Sequence, residues 1–304
     1  MPFPAGAAVP PAIAVPAPAK LNLYLHVLGR RADGYHELDS LVVFAGLHDT
    51  VTVRAGTGGS GPSFEVSGPM AGTLAAEPAE TNLVVRAARE LAAAIGRPCD
   101  AALLLDKHLP VASGIGGGSA DAAACQRGLA GLWGLEADDP RPWRVAAGLG
   151  ADVPVCLAGR PSFFGGIGDA LDPAPRLPAI DAVLVNPGVP LPTPAVFGAR
   201  TGPFSPPARF TEAPADAVAL ARLLAAGRGN DLTDAAIALA PAVGDVLAAL
   251  GATQGCLLAR LSGSGATCFG LYADQGAAEM AATALAAAHP QWWVRATRLG
   301  VPRR

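Results

Sequence analysis

Residues Pro110–Asp121 read PVASGIGGGSAD, with four glycines and two serines in twelve residues. Few folds accommodate such a run. An apolar, strand-like segment (Ala101–Leu105) leads into it, and an Ala-rich, helix-like segment leads out. Glycine at positive φ lets the backbone turn sharply and come close to a ligand. A helix that starts just after such a turn presents unpaired N–H groups and the positive end of its dipole. Strand, glycine turn and helix in that order form an anion site, most often for phosphate. The competing reading is a flexible Gly/Ser linker, and the regular elements on both sides weigh against it.

The run excludes several phosphate loops. A Walker A loop would end in Gly-Lys-Ser/Thr, and no Lys follows these glycines. A dinucleotide fingerprint would need Gly where Ser119 stands. A protein-kinase glycine loop would come with H-R-D and D-F-G segments, which the chain lacks.

Composition narrows the partners. The chain has 304 residues, 51% hydrophobic and 15% charged, enough to bury a core. Its net charge of −3 argues against a nucleic-acid or anionic-membrane partner, since both call for a basic surface. Five cysteines with no C-x-x-C spacing fit reduced thiols in a cytoplasmic protein. The five histidines form no metal-ligand pair such as H-x-x-x-H. Residues 1–19 carry no Lys or Arg, and prolines interrupt them, so no signal peptide is expected. No uncharged run is long and Pro-free enough to span a bilayer.

Periodicity organises the rest. In Ala19–Val27, Leu21, Leu23, Leu25 and Val27 alternate with Lys20, Asn22, Tyr24 and His26, which predicts a half-buried strand with a polar face. Gly29–Ser40 reads as a turn-rich loop. Strands follow at Leu41–Phe44, Thr50–Arg54 and Ser63–Ser67, the last two joined by a Gly-rich link that predicts an antiparallel arrangement. Helices are expected over Asn82–Ile95, Ser119–Trp133 and Pro142–Gly150, and strands over Ala101–Asp106 and Ser162–Gly168. A Pro-rich, aperiodic stretch marks a boundary near 175–180. Beyond it come a strand (Ala182–Asn186), an exposed excursion over 198–210 and three helices. Two strands flanking SGSGA (Ser262–Ala266), a helix and a closing strand complete the chain. Strands and helices alternate without regular βαβ spacing, which reads as α+β.

Four segments carry a resemblance: PAKLNLYLHVLGRRADGYHEL from Pro18, LPVASGIGGGSADAA from Leu109, LGADVPVCL from Leu149 and SGSGATCFGLY from Ser262. They span positions 18 to 272 and resemble the GHMP small-molecule kinases, which include galactokinase, homoserine kinase and mevalonate kinase. The first and third narrow the resemblance to the branch that phosphorylates the 2-hydroxyl of 4-diphosphocytidyl-2-C-methyl-D-erythritol in the non-mevalonate isoprenoid pathway. The resemblance implies an α+β, two-domain GHMP-kinase fold. Its ribosomal-protein-S5-domain-2-like N-terminal domain would occupy 16–176 and its ferredoxin-like C-terminal domain 177–304, after a loose extension over 1–15.

It also implies an ATP-dependent kinase working with Mg2+. By motif position the catalytic pair falls on Lys20 and Asp152. Phosphoryl transfer asks for alignment, charge neutralisation and a group to take the hydroxyl proton, and Asp152 suits the last role. The ATP loop is Pro110, Val111, Ala112, Ser113, Gly114, Ile115, Gly116, Gly117, Gly118, Ser119 and Ala120, closed by Asp121, with the Ser119 hydroxyl on a phosphate or Mg2+. Ala120 stands where relatives often have a second Ser, and Ser113 replaces a small Gly or Ala. Tyr35 and His36 of DGYH, with Phe197, would hold the cytosine, and Asn22 and Lys107 would contact the same substrate. SGSGA would pack against the first glycine loop. The expected protein is a monomer or weak homodimer, with no nucleic-acid or membrane partner.

Three competing functions are weaker. A kinase for homoserine, mevalonate or another small alcohol has no use for a cytosine clamp. A silent nucleotide-binding module has no need of both Lys20 and Asp152. A nucleic-acid-binding protein sharing the N-terminal fold would need a basic cluster.

Overall fold

The structure is a computed structural model that describes residues 12–300 except 57, 59, 60, 76 and 169. It opens with a long hairpin, β1 (Ile13–Arg30) against β2 (His36–Ala55). Then follow β3 (Ser63–Ser67), α1 (Leu83–Ala94), β4 (Ala101–Asp106), α2 (Gly117–Trp133), α3 (Arg141–Leu149), α4 (Val153–Ala158), β5 (Ser162–Gly166) and β6 (Ala170–Pro173). The second half holds β7 (Ile180–Asn186), α5 (Thr193–Ala199), α6 (Ala217–Ala225), α7 (Thr233–Leu239), α8 (Ala242–Ala252), β8 (Leu258–Leu261), β9 (Cys268–Tyr272), α9 (Gln275–Ala288) and β10 (Trp293–Leu299).

One sheet orders its strands β3-β4-β2, with β1 and the β5–β6 pair also bonded to β2. The other is ordered β10-β7-β9-β8, and a single pairing of Leu299 with Ala45 joins the two. Three apolar cores follow. The first lies between the β1/β2/β4 face and α1–α4, with Val53, Leu91, Leu103 and Leu129. The second packs α7, α8 and α9 on β7 and β9. The third is shared by the halves: Leu21, Leu23, Leu41 and Ile115 meet Ile180, Leu184, Phe269 and Leu299. Among the described residues no helix is long and apolar enough to cross a membrane.

Several expectations need correction. Residues 13–15 are not loose: they pair with Val51–Val53, and Ile13 and Val15 pack on the first core, while residues 1–11 lie outside the described residues. The polar face of β1 is not open, because every residue from Ala17 to Val27 is buried. The glycine loop and the second half of the chain cover that face. β3 does not pair with β2; β4 lies between them, antiparallel to β2 and parallel to β3. The Gly-rich link therefore reaches past one strand instead of closing a hairpin. The Gly29–Ser40 loop shrinks to a short turn, with β2 starting at His36.

The 198–210 excursion is tied down. α5 runs to Ala199, and beyond it Ser205 N–H donates to Val27 C=O at 3.0 Å. Pro206 C=O lies 2.8 Å from His26 Nδ1, and Ala208 N–H donates to Asp39 Oδ2 at 2.7 Å. Two polar side chains and one backbone carbonyl of the β1–β2 hairpin supply these partners, and no local pattern in 198–210 announces them.

Candidate active site

Lys20 lies on β1 between two irregularities in the ladder to β2, at Pro18/Lys20 and Asn22/Tyr24. Such bulges re-aim side chains and are frequent beside active sites. The Lys20 ammonium donates to Asn22 Oδ1 and pairs with Asp152 Oδ2, each at 2.9 Å. Its side chain is 5% exposed, and that of Asp152 is 32% exposed. One end of the pair is thus locked in the protein and the other opens outward. Asp152 precedes α4 at the N-cap position, yet its side chain accepts no capping bond. The carboxylate remains available to an incoming group.

The glycine loop lies directly on this pair. Lys20 N–H donates to Ile115 C=O at 2.9 Å. A Cβ at Gly116 would sit 3.3 Å from Lys20 Cε. Gly116 has φ +63°, so the chain turns there in a region glycine tolerates. α2 starts at Gly117, two residues earlier than expected, so Gly117 and Gly118 form a side-chain-free first turn. Its unpaired N–H groups and dipole suit an anion. Gly118 is exposed and Ser119 half-buried, so a phosphate can reach both.

The departures in the loop are absorbed locally. Ser113 is buried and its hydroxyl donates to Pro110 C=O at 2.6 Å. Ala120 is fully buried in the first core, where a hydroxyl would need a partner. Of the two serines, Ser119 is the one at the loop surface. The SGSGA turn packs on the loop: Thr267 N–H donates to Ser113 C=O and Ser262 Oγ to Gly114 C=O, both at 3.0 Å.

Lys107 is held inside the protein in an ion triad. Its ammonium lies 2.5 Å from Asp49 Oδ2 and 2.8 Å from Asp121 Oδ2, and all three side chains are buried. A Cβ on Gly117 would come within 3.2 Å of Lys107 Nζ, so this ion triad lies under the first turn of α2. Asp49 also accepts from the N–H groups of His108 and Leu109. Burial pushes Asp121 up to about 7 against the opposing pull of Lys107. Asp49 carried no signal in the sequence that would have placed it here.

At the hairpin end, His36 and the Phe197 ring stack with centroids 5.1 Å apart. Tyr35 is 62% exposed beside them. Burial, then the charges of Arg30 and Arg200, hold the His36 imidazole below its ordinary value, so it is neutral at neutral pH. The structure thus joins Lys20, Asn22, Asp152 and the glycine loop in one cluster, and His36 with Phe197 in another. Among the described residues no group of three or more His, Cys, Asp or Glu side chains gathers to hold a metal ion.

An anion cradle at a helix start, backed by a buried ammonium and a half-open carboxylate, is what a GHMP kinase requires. Profiles for the GHMP kinases N terminal domain and the GHMP kinases C terminal region match residues 82–160 and 212–291. The chain is 56% identical to the 4-diphosphocytidyl-2-C-methyl-D-erythritol kinase of Paramagnetospirillum magneticum, over 94% of this chain and 98% of that one. It is 52% identical to the protein of the same name from Rhodospirillum rubrum, over 92% and 90%. A crystal structure of 4-(cytidine 5'-diphospho)-2C-methyl-D-erythritol kinase superposes with a TM-score of 0.77 at 34% identity, covering 95% of this chain and 100% of that one. Homoserine kinase from Cytophaga hutchinsonii shares the fold, with a TM-score of 0.70 at 19% identity over 98% of this chain and 96% of its own. The chain belongs to the 4-diphosphocytidyl-2-C-methyl-D-erythritol kinase family of the GHMP kinases.

Proposed function

We propose that the chain transfers the γ-phosphoryl group of ATP to the 2-hydroxyl of 4-diphosphocytidyl-2-C-methyl-D-erythritol, a step of non-mevalonate isoprenoid synthesis in the cytoplasm. The observation that carries this reading is the 2.9 Å Lys20–Asp152 pair lying against the glycine loop. The N–H groups of the first turn of α2 hold the ATP phosphates. Asp152 accepts the proton of the substrate 2-hydroxyl as its oxygen attacks the γ-phosphorus. The bond to the bridging β,γ-oxygen breaks and ADP departs. Lys20 keeps Asp152 ionised and neutralises charge on the transferred group.

The loop fits a nucleotide phosphate, since two side-chain-free residues open the helix. Mg2+ supplies charge neutralisation when bound to the nucleotide, with the Ser119 hydroxyl as the loop's contact. His36 and Phe197 offer a ring stack to the cytosine, and Tyr35 closes over it. Asn22 and Lys107 act from inside the protein, one on Lys20 and the other beneath the loop.

The test is incubation of the whole chain with Mg·ATP and a panel of alcohols: the diphosphocytidyl alcohol, homoserine and mevalonate. ADP release with the first and not the others is expected. Release with homoserine or mevalonate alone would overturn the assignment.

A further inference from the structure

Asn22 joins two groups through one amide. Its Oδ1 accepts from Lys20 Nζ at 2.9 Å, and its Nδ2 donates to Ser40 Oγ at 2.8 Å. The two ends of a side-chain amide are nearly alike in shape, so the neighbours decide which way it faces. Ser40 makes that choice. A hydroxyl has a single proton, and that of Ser40 goes to Tyr24 C=O at 2.5 Å. A carbonyl oxygen can only accept, so the proton is committed there. What Ser40 turns toward Asn22 is a lone pair, which requires the NH2 end of the amide. The oxygen end then faces the Lys20 ammonium. The reverse orientation would set two donors against each other.

The surroundings leave little slack. Ser40 is fully buried and Asn22 is 1% exposed, so bulk solvent does not stand in for a lost partner. The ladder between β1 and β2 slips by one residue between Asn22 and Tyr24, where this carbonyl and this hydroxyl meet. Lys20 has three protons to give. Asp152 and Asn22 take two, and among the described residues no other acceptor is bonded to it, which leaves the third for an oxygen of the reacting groups.

We propose that Ser40 is a positioning residue for the kinase reaction: through Asn22 it orients the Lys20 ammonium toward the transferred phosphoryl group. The proposal rests on the reading of Lys20 as catalytic. Ser40 touches neither substrate nor nucleotide, and its effect passes through an amide whose direction it sets. Placing a charge correctly in advance is a large share of what phosphoryl-transfer enzymes contribute.

Steady-state kinetics on the whole chain test this. Ser40→Ala lowers kcat about ten- to a hundredfold and leaves the KM for ATP within about twofold. In an Asn22→Leu background, where the link is already cut, Ser40→Ala changes kcat by less than about twofold. A residue that only stabilised the fold would act equally in both backgrounds. Equal losses in the two backgrounds, or a folded Ser40→Ala protein with near-parent kcat, would overturn the proposal. If Ser40→Ala does not fold, Ser40→Cys replaces it with the same expectations, since a thiol is close in size and a weak donor. All ratios are taken on whichever alcohol the parent phosphorylates, so a wrong acceptor assignment and a wrong role for Ser40 give different results. A parent that phosphorylates no alcohol defeats both.

Discussion

The ammonium of Lys107 lies 2.8 Å from the carboxylate of Asp121, and both side chains are 3% exposed. Asp49 completes the group from the opposite strand. Removing the one cation would leave two carboxylates buried together. Breaking a buried pair in this way costs about 3–5 kcal/mol. Lys107→Met is therefore expected to lower the thermal unfolding midpoint clearly, with the KM for the diphosphocytidyl substrate unchanged in the protein that remains folded. A raised substrate KM at unaltered stability would return Lys107 to substrate contact.

The Lys20–Asp152 pair predicts a separation of binding from turnover. Lys20→Met and Asp152→Asn should each reduce kcat by about 10²–10⁴-fold, the range for a lost acid–base or charge-stabilising group. ATP affinity, measured by calorimetry or fluorescence titration, should stay within a few-fold, because the loop N–H groups remain. A variant with near-normal turnover would remove that residue from the mechanism.

Gly114 is where the two glycine turns interlock. Its φ is +75°, and a Cβ there would lie 2.4 Å from Ser262 O and 2.7 Å from Gly265 N. Both obstacles are backbone, so neither can swing aside. Gly114→Ala should part the turns and raise the KM for ATP at least tenfold, with a strain cost on the order of 1–3 kcal/mol visible in thermal unfolding. Gly251→Ala in α8 is the control, since no atom lies within 4 Å of a Cβ there and the residue is outside the glycine turns.

His36 sets a pH signature. Its imidazole titrates below the usual 6.5, chiefly because partial burial disfavours the charged ring. The folded state thus binds its proton less readily than the unfolded chain does. Stabilisation from the neutral ring is present above pH 6.5 and is lost as pH falls through the lowered value. If neutral His36 also faces the cytosine, substrate KM should stay flat down through pH 6.5 and rise only as pH falls through the lowered value, and His36→Gln should abolish that rise. A KM that rises equally in the His36→Gln protein would break the link.

Much of the site was legible because its parts are local. A glycine run between a strand and a helix constrains its own backbone, so Gly114–Gly118 pointed to phosphate without any tertiary information. Lys20 and Asp152 were legible only through the motifs around them, since 131 intervening positions separate a strand lysine from a pre-helical aspartate that meet at 2.9 Å. The burial of Lys107 was not legible, because the carboxylates that draw it inward come from β2 and α2, 58 positions before it and 14 after it. The 198–210 stretch looked like a free excursion because its partners, Val27, Asp39 and His26, are more than 160 residues away.

By itself the sequence determined the elements and the chemistry they carry: an anion-binding turn, its helix, a strand bearing Lys20 and Asn22, and an α+β order of strands and helices. Hydrogen bonding within a helix or turn and the periodicity of burial act over a few residues, so they can be read directly. The tertiary structure decided what faces what. It covered both sides of β1, set β4 between β2 and β3, and buried Lys107 between two carboxylates. It also gave the Asn22 amide its direction through Ser40. Those outcomes depend on desolvation and on donor–acceptor matching between groups far apart in the chain. Such contacts exist only once the two sheets and their shared core have come together.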